Sequence, residues 1–238
     1  MKYHGGKAKR ALGKALGAIL TDAARERKRY LEPFCGSGAV LVNVSHPNRV
    51  ASDLHPDLML LLEAVRDGWK PPRTVSERTY SRLRNEVPSA LRGFVGFGCS
   101  FGGKWFGGYA RGALPTGVPR NYADETRRAL LRDAPKLAGV DLVCCDYTRW
   151  KPGRDTLVYC DPPYGGTTGF GGLPPFDTAR FWLWATAAAR SGADVFVSEE
   201  AAPPGWEVVW EKAVVRTTVA TKQRQHVATE RLFRYGGR

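Results

Sequence analysis

Thr156-Leu157-Val158-Tyr159-Cys160 is a short apolar run that ends in Asp161-Pro162-Pro163-Tyr164-Gly165-Gly166. Its length and continuous apolarity predict a buried strand rather than a surface one. The prolines fix φ at two successive positions and leave two carbonyls without competing N–H donors. The segment therefore predicts a stiff loop at a strand's carboxyl end, where open α/β sheets place their ligands. A carboxylate and a proline carbonyl, each accepting one N–H, are suited to gripping an exocyclic amine and localising its lone pair. An aromatic ring at Tyr164 is suited to stacking on the base that carries that amine.

The flanking sequence supports the same architecture. Ala8 to Lys28 predicts a helix, with Leu12, Ala15, Leu16, Ile19 and Leu20 at helical spacing. Arg29-Tyr30-Leu31-Glu32 follows as a strand, and Ala39 to Val42 is expected to open a second helix. Val50 to Ser52 is a second strand ending at Asp53, and Pro56 opens a helix that closes at Gly68. Asn121 to Leu137 predicts a helix, followed by the strand Val140 to Cys145. Asp177 is placed to cap a helix through Arg190, and the strand Asp194 to Ser198 follows. The tail from Trp206 to Leu232 predicts two or three antiparallel strands. The expected fold is α/β: a Rossmann-like, doubly wound, mostly parallel sheet with an antiparallel strand near its carboxyl end.

Residues 69–121 break this rhythm with Lys70-Pro71-Pro72-Arg73 and a glycine- and aromatic-rich stretch. They form the expected inserted recognition lobe, with 1–68 and 122–238 making the main domain. A chain of 238 residues, 43% hydrophobic, is ample for one such core. Net charge is +13, which favours a polyanionic partner, most simply nucleic acid. The basic residues are spread along the chain rather than gathered in a tail, which favours a folded groove. Five cysteines without C-x-x-C spacing, and four scattered histidines, argue against a disulfide framework and a metal centre. With no apolar run of membrane-spanning length and no signal-type amino terminus, a cytoplasmic protein is expected.

The loop Glu32-Pro33-Phe34-Cys35-Gly36-Ser37-Gly38 lies between the first strand and the helix expected after it, and its glycines permit close approach of a cofactor. It is not a dinucleotide fingerprint, because the third glycine of G-x-G-x-x-G would fall at Leu41. Asp53, ending the second strand, is placed to bind ribose hydroxyls, or else simply to cap a helix. Together the two features suit an adenosine-bearing cofactor without a pyrophosphate, a description that S-adenosyl-L-methionine fits.

In the order Gly5-Gly6-Lys7, Phe34-Cys35-Gly36-Ser37-Gly38, Asp53, Asp146-Tyr147 and Asp161-Pro162-Pro163-Tyr164, the chain resembles the Dam-type (D12 class) DNA N6-adenine methyltransferases. The resemblance runs from Tyr3 to Phe233 and implies a cofactor set. Lys7 would help hold the methionine end, and Tyr3 in the same segment would also bind the cofactor. Phe34, Gly36 and Gly38 would lie against the cofactor, Asp53 would take the ribose, and Asp146 with Tyr147 the adenine. Asp161 and Tyr164 would be catalytic, with the Pro162 carbonyl as second acceptor. The implied partner is double-stranded DNA, with a flipped-out adenine as target. A monomer is expected, possessing in some settings a cognate restriction endonuclease, in a bacterial or phage-infected cell.

The middle of the chain departs from the family, whose recognition hairpin is not recognisable in Phe94 to Arg111, so GATC specificity is not carried over. Lys104, Trp105, Arg111 and Arg120 are the candidate DNA contacts, by phosphate neutralisation and base stacking. Alternatively, these aromatics pack into the core. The competing functional readings are an N4-cytosine methyltransferase, RNA or protein-glutamine methylation, and an inactive DNA-binding module on the same scaffold.

Overall fold

The structure, a computed structural model, describes residues 10–163, 173, 175–218 and 224–237. Among these, seven strands form one sheet in the order β3-β2-β1-β4-β5-β7-β6. The strands are β1 (Arg29–Glu32), β2 (Arg49–Asp53), β3 (Val140–Cys144), β4 (Thr156–Cys160), β5 (Asp194–Glu199), β6 (Trp206–Thr218) and β7 (Arg224–Tyr235). The first five run parallel, with Tyr30 level with Arg49 on one side and Leu157 on the other. β7 enters antiparallel between β5 and β6. The expected sheet is therefore present, and its tail consists of two strands.

The alternation of side chains along each strand divides the core between two faces. On one face, Leu12, Leu16 and Leu20 of α1 (Arg10–Ala23) meet Tyr30, Leu157, Tyr159 and Phe196. On the other, Phe181, Ala185 and Ala188 of α6 (Thr178–Arg190) meet Leu31, Val158, Cys160, Val195 and Val197. β4 and β5 are buried at every residue, their apolar centres Leu157–Cys160 and Val195–Val197 covered on both faces of the sheet. Asp177 caps α6 by accepting the Arg180 N–H at 2.9 Å. No helix among the described residues is long and apolar enough to cross a membrane.

One expected helix does not form. After Gly38 the chain makes only a 3₁₀ turn at Leu41–Asn43 before reaching β2. Val40, Val42 and Val44 disfavour helix through their branched side chains, and Pro47 stops the segment. α1 crosses this turn closely. A Cβ on Gly17 would stand 2.6 Å from the Asn43 Cβ, and one on Gly13 would stand 2.5 Å from the Ala39 oxygen. The amino-terminal helix thus covers part of the face that the missing helix would have filled.

Residues 69–121 carry α3 (Glu77–Leu83) and α4 (Ala90–Gly98). Their apolar residues Tyr80, Leu83, Phe94, Val95 and Phe106 form a third cluster. That cluster is shared with Leu61 and Val65 of α2 (Pro56–Arg66) and Leu130 of α5 (Tyr122–Asp133). The segment is pinned at the start of α2. Asp57, only 1% exposed, accepts the Ser89 N–H at 2.9 Å and the Arg92 guanidinium at 2.6 Å. Gly93 is obligatory there, because a Cβ would lie 2.2 Å from the Asp57 carbonyl oxygen.

Candidate active site

The strand order turns back between β1 and β4, from which the sheet extends outward in both directions. Loops leaving the carboxyl ends of two such strands diverge and open a crevice, the usual ligand position in this architecture. The loop Pro33–Gly38 leaves β1 at that point, and Asp161-Pro162-Pro163 leaves β4 beside it. The sequence motifs thus converge, although more than 120 residues separate them along the chain.

The first loop is held from β2. Cys35 N–H donates to the Ser52 oxygen at 2.9 Å, and Gly36 N–H donates to Asp53 Oδ2 at 3.0 Å. The other Asp53 oxygen accepts the His55 N–H at 3.0 Å. Gly36 and Gly38 have φ of 49° and 71°, backbone that a side-chain-bearing residue adopts only with strain. Burial raises the Asp53 pKa, and backbone N–H groups of His55, Gly36 and Leu54 oppose that rise. The result is a partly shielded carboxylate beside a glycine backbone, chemistry that suits a ribose diol.

An aromatic wall faces this loop. Phe34 and Tyr147 have ring centroids 5.1 Å apart, and Phe176 and Phe181 stand 5.8 and 5.5 Å from Phe34. Tyr147 is positioned by Asp146, which caps the 3₁₀ turn Tyr147–Arg149 by accepting the Thr148 N–H at 2.9 Å and the Thr148 hydroxyl. The half-buried Phe34 and the 37% exposed Leu54, next to Asp53, leave apolar surface at the crevice. Gly36, Gly38, Asp53, Phe34, Asp146 and Tyr147 are therefore gathered around one opening and fit an adenosine-bearing cofactor. Pro162 is buried and Asp161 half-buried at the same edge. Tyr3, Lys7 and Tyr164 lie outside the described residues.

The candidate DNA contacts are placed differently from one another. Lys104 is exposed. Arg111 is exposed and pairs with Glu77 at 2.5 Å. Arg120 grips Glu125 with two nitrogens, at 2.9 and 2.5 Å, and stacks 4.8 Å from the Tyr122 ring. The Trp105 ring packs edge-on against His55 at 4.3 Å and beside Phe97, with the Arg92 guanidinium 5.0 Å above it. Phe94, Phe97 and Phe106 are core residues, whereas Phe101 remains 51% exposed. Most of the aromatic stretch thus follows the core-packing alternative.

Glu32, Leu54, His55 and Phe176 join the site without having been singled out in the sequence. Glu32 closes β1, is buried, and accepts a hydrogen bond from the Tyr30 hydroxyl at 2.7 Å. The i, i+2 spacing of Tyr30 and Glu32 on one strand was the available signal. Burial raises the Glu32 pKa to about 8, opposed by the Tyr30 hydrogen bond, with the nearby Asp161 charge adding to the rise. His55 is buried, and its Nδ1 has no hydrogen-bond partner among the described residues. Burial, followed by the Arg92 charge, lowers its pKa to about 4, so the ring is neutral at physiological pH.

The Glu32 shift has a sign that can be measured. The folded state keeps this proton to about pH 8, whereas an unfolded glutamate releases it near 4.5. Its stabilising contribution is full below pH 4.5 and is lost as pH rises from there to about 8. Glu32→Gln has no proton to lose, so its melting temperature should fall less than the wild type's across this interval. Parallel pH–stability curves for the two proteins would show that Glu32 ionises normally.

Fold and crevice together define a doubly wound α/β protein with a glycine-and-acid site at its topological switch point. Residues 3–90 match the sequence model of the D12 class N6 adenine-specific DNA methyltransferases. The chain is 26% identical over 165 residues to a DNA adenine methylase of Haemophilus influenzae, covering 56% of this chain and 54% of that one. It is 25% identical over 172 residues to a DNA adenine methylase of Vibrio cholerae, covering 58% and 57%. The chain thus matches little more than half the length of these curated relatives. Among solved structures, precorrin 8W decarboxylase of Methanobacterium thermoautotrophicum superposes with a TM-score of 0.40. It is 10% identical, over 93% of this chain and 89% of that one.

Proposed function

We propose that this protein transfers a methyl group from S-adenosyl-L-methionine to the N6 amine of adenine in DNA, at defined sites. The observation that carries the reading is the meeting of Asp161-Pro162-Pro163 with the Phe34–Gly38 loop and Asp53 at one switch point. The match of residues 3–90 to adenine-specific DNA methyltransferases supports the target base. So does the likeness to DNA adenine methylases.

When bound, the cofactor supplies an electrophilic methyl. Asp53 receives its ribose, the Gly36 and Gly38 backbone allows its close approach, and Phe34, Leu54 and Tyr147 bound its adenine with Asp146. Lys7 belongs to the methionine end, and Tyr3 is a further cofactor contact. The Asp161 carboxylate and the Pro162 carbonyl each accept one N–H of the flipped adenine, raising electron density on N6, and Tyr164 stacks on the base. Transfer is direct, without a covalent enzyme intermediate. Its acceleration comes from alignment and from acceptors already oriented toward the charge developing on N6. Lys104 and Arg111 contact phosphates, while Trp105 and Arg120 shape the loop that presents them.

The deciding experiment is modification-sensitive sequencing of DNA from a methylation-free bacterial host that expresses the chain. N6-methyladenine at a recurrent motif is expected. An unmodified genome from soluble protein that binds S-adenosylmethionine would overturn the proposal.

A further inference from the structure

Methyl transfer to an amine leaves the nitrogen with one proton too many, and a carboxylate that kept this proton could not polarise the next substrate. A second carboxyl lies beside Asp161. Glu32 closes β1 and is 2% exposed. The last paired residues of β1 and β4 are Leu31 and Val158, so Glu32 comes level with Tyr159, and Asp161 follows two positions on. Side chains two apart on a strand share a face, which puts Glu32 with Tyr30 and Tyr159 on the side that α1 covers. The carboxyl accepts hydrogen bonds from the Tyr30 hydroxyl at 2.7 Å and from the N–H of Leu41, which opens the 3₁₀ turn. These two donors fix its position and leave its charge uncompensated.

The titratable groups around Glu32 are Tyr30 on its own strand, Tyr159, Cys160 and Asp161 on and after β4, and Cys35 in the glycine loop. β2 brings the neutral Ala51 level with it, and α1 meets this face with Leu12, Leu16 and Leu20. Burial pushes the Tyr30 phenol and the Cys35 and Cys160 thiols well up, so none of them ionises in place of Glu32. Among the described residues, Asp161 supplies the charge that acts on Glu32. That negative charge favours the proton on Glu32, and a positive charge in the crevice favours its release. With the crevice free of any cation the balance point is about pH 8, within reach of such a charge.

We propose that Glu32 is the proton store of the reaction, releasing its proton when a sulfonium charge enters the crevice and taking one from N6, through Asp161, when that charge is gone. The inference rests on the functional reading above and deepens it. N6 forms its bond to the methyl carbon with its lone pair, and the carbon–sulfur pair stays on sulfur. One N–H pair then stays on nitrogen as the proton passes to Asp161 and on to Glu32. A positive charge is lost at sulfur and a negative charge at Glu32, so the net charge of the crevice is the same before and after. Asp161 is left ionised, ready for the next amine.

The test counts protons. The full chain and Glu32→Gln are titrated calorimetrically with S-adenosyl-L-methionine and with its demethylated product, S-adenosyl-L-homocysteine, in two buffers of different ionisation enthalpy near neutral pH. With the sulfonium compound, wild type should release about half a proton or more per site beyond what the variant releases, and with the thioether no excess. The variant should also lose about tenfold of the preference for sulfonium over thioether, the equivalent of one pKa unit. Tyr30→Phe removes a hydrogen bond that favours the ionised carboxyl, so it should move the excess release to higher pH, and it serves if Glu32→Gln does not fold. In a single turnover of the preformed cofactor complex on DNA, a pH indicator should show no proton reaching solvent from wild type and one from Glu32→Gln. Equal proton release by the two proteins on binding overturns the store, as does an equal excess with both compounds or an unmoved Tyr30→Phe profile. DNA methylation with a proton released to solvent by both proteins would overturn the store and keep the methyltransferase reading. Sulfonium-linked release from a protein that leaves every DNA unmodified would overturn that reading, and the uptake from N6 with it.

Discussion

Asp161→Ala is expected to lower methyl transfer by about 10²–10³-fold or more, the usual loss when an oriented electrostatic partner is removed from a reacting centre. Cofactor affinity should stay within about threefold of wild type, since binding rests on the separate group around Asp53 and Gly36. The two quantities separate cleanly, by turnover under saturating S-adenosylmethionine and by calorimetric titration of the cofactor alone. Asp161→Asn should fall between the two proteins, because its amide retains one acceptor but no charge. A joint loss of binding and turnover would mean that Asp161 shapes the crevice rather than polarising the amine. Its proximity to Glu32 makes that alternative a physical one, since the Asp161 charge opposes the ionisation of Glu32 across adjoining strand ends.

The second large effect is on stability. Asp57→Ala should destabilise the protein by about 3–5 kcal/mol, because it strands the Arg92 guanidinium and the Ser89 N–H in a water-poor setting. For a chain of this length that corresponds to a melting temperature lower by about 10 °C, readable by calorimetry. Arg92 also donates to the Leu83 and Arg84 carbonyl oxygens and covers the Trp105 ring. The damage should therefore spread through residues 80–106 before it reaches the sheet, and hydrogen exchange should show that order. Asp57→Ala/Arg92→Met, which removes both charges, should recover part of the loss. No recovery would show that the packing at Gly93, rather than the ion pair, fixes the segment.

Much of this architecture was legible because its signals are local. The strand that runs into Asp161, the proline at Pro56, the cap at Asp177 and the glycine at Gly68 act within a few residues. Each falls at the expected boundary. The order of motifs likewise brought Phe34, Gly36, Gly38, Asp53, Asp146 and Tyr147 together in advance. Parallel strands joined by covering helices leave their loops at one edge.

What stayed hidden depends on partners remote in sequence. Nothing local to Ala39–Asn43 says that α1 will lie across it at Gly13 and Gly17 and take the place of a helix. Nothing in the composition of Phe94 to Arg111 separates Phe97, which closes over His55, from Phe101, which faces water. The sequence by itself determined the strands, the helices that start at Pro56 and after Asp177, and the edge that the motif loops share, since propensity, capping and turn geometry are properties of neighbouring residues. The tertiary structure alone decided which aromatics the core takes up and which carboxyls keep their protons. Burial and desolvation are set by whatever packs against a residue, and here that includes chain as remote as Asp161 is from Glu32 and His55 from Phe97.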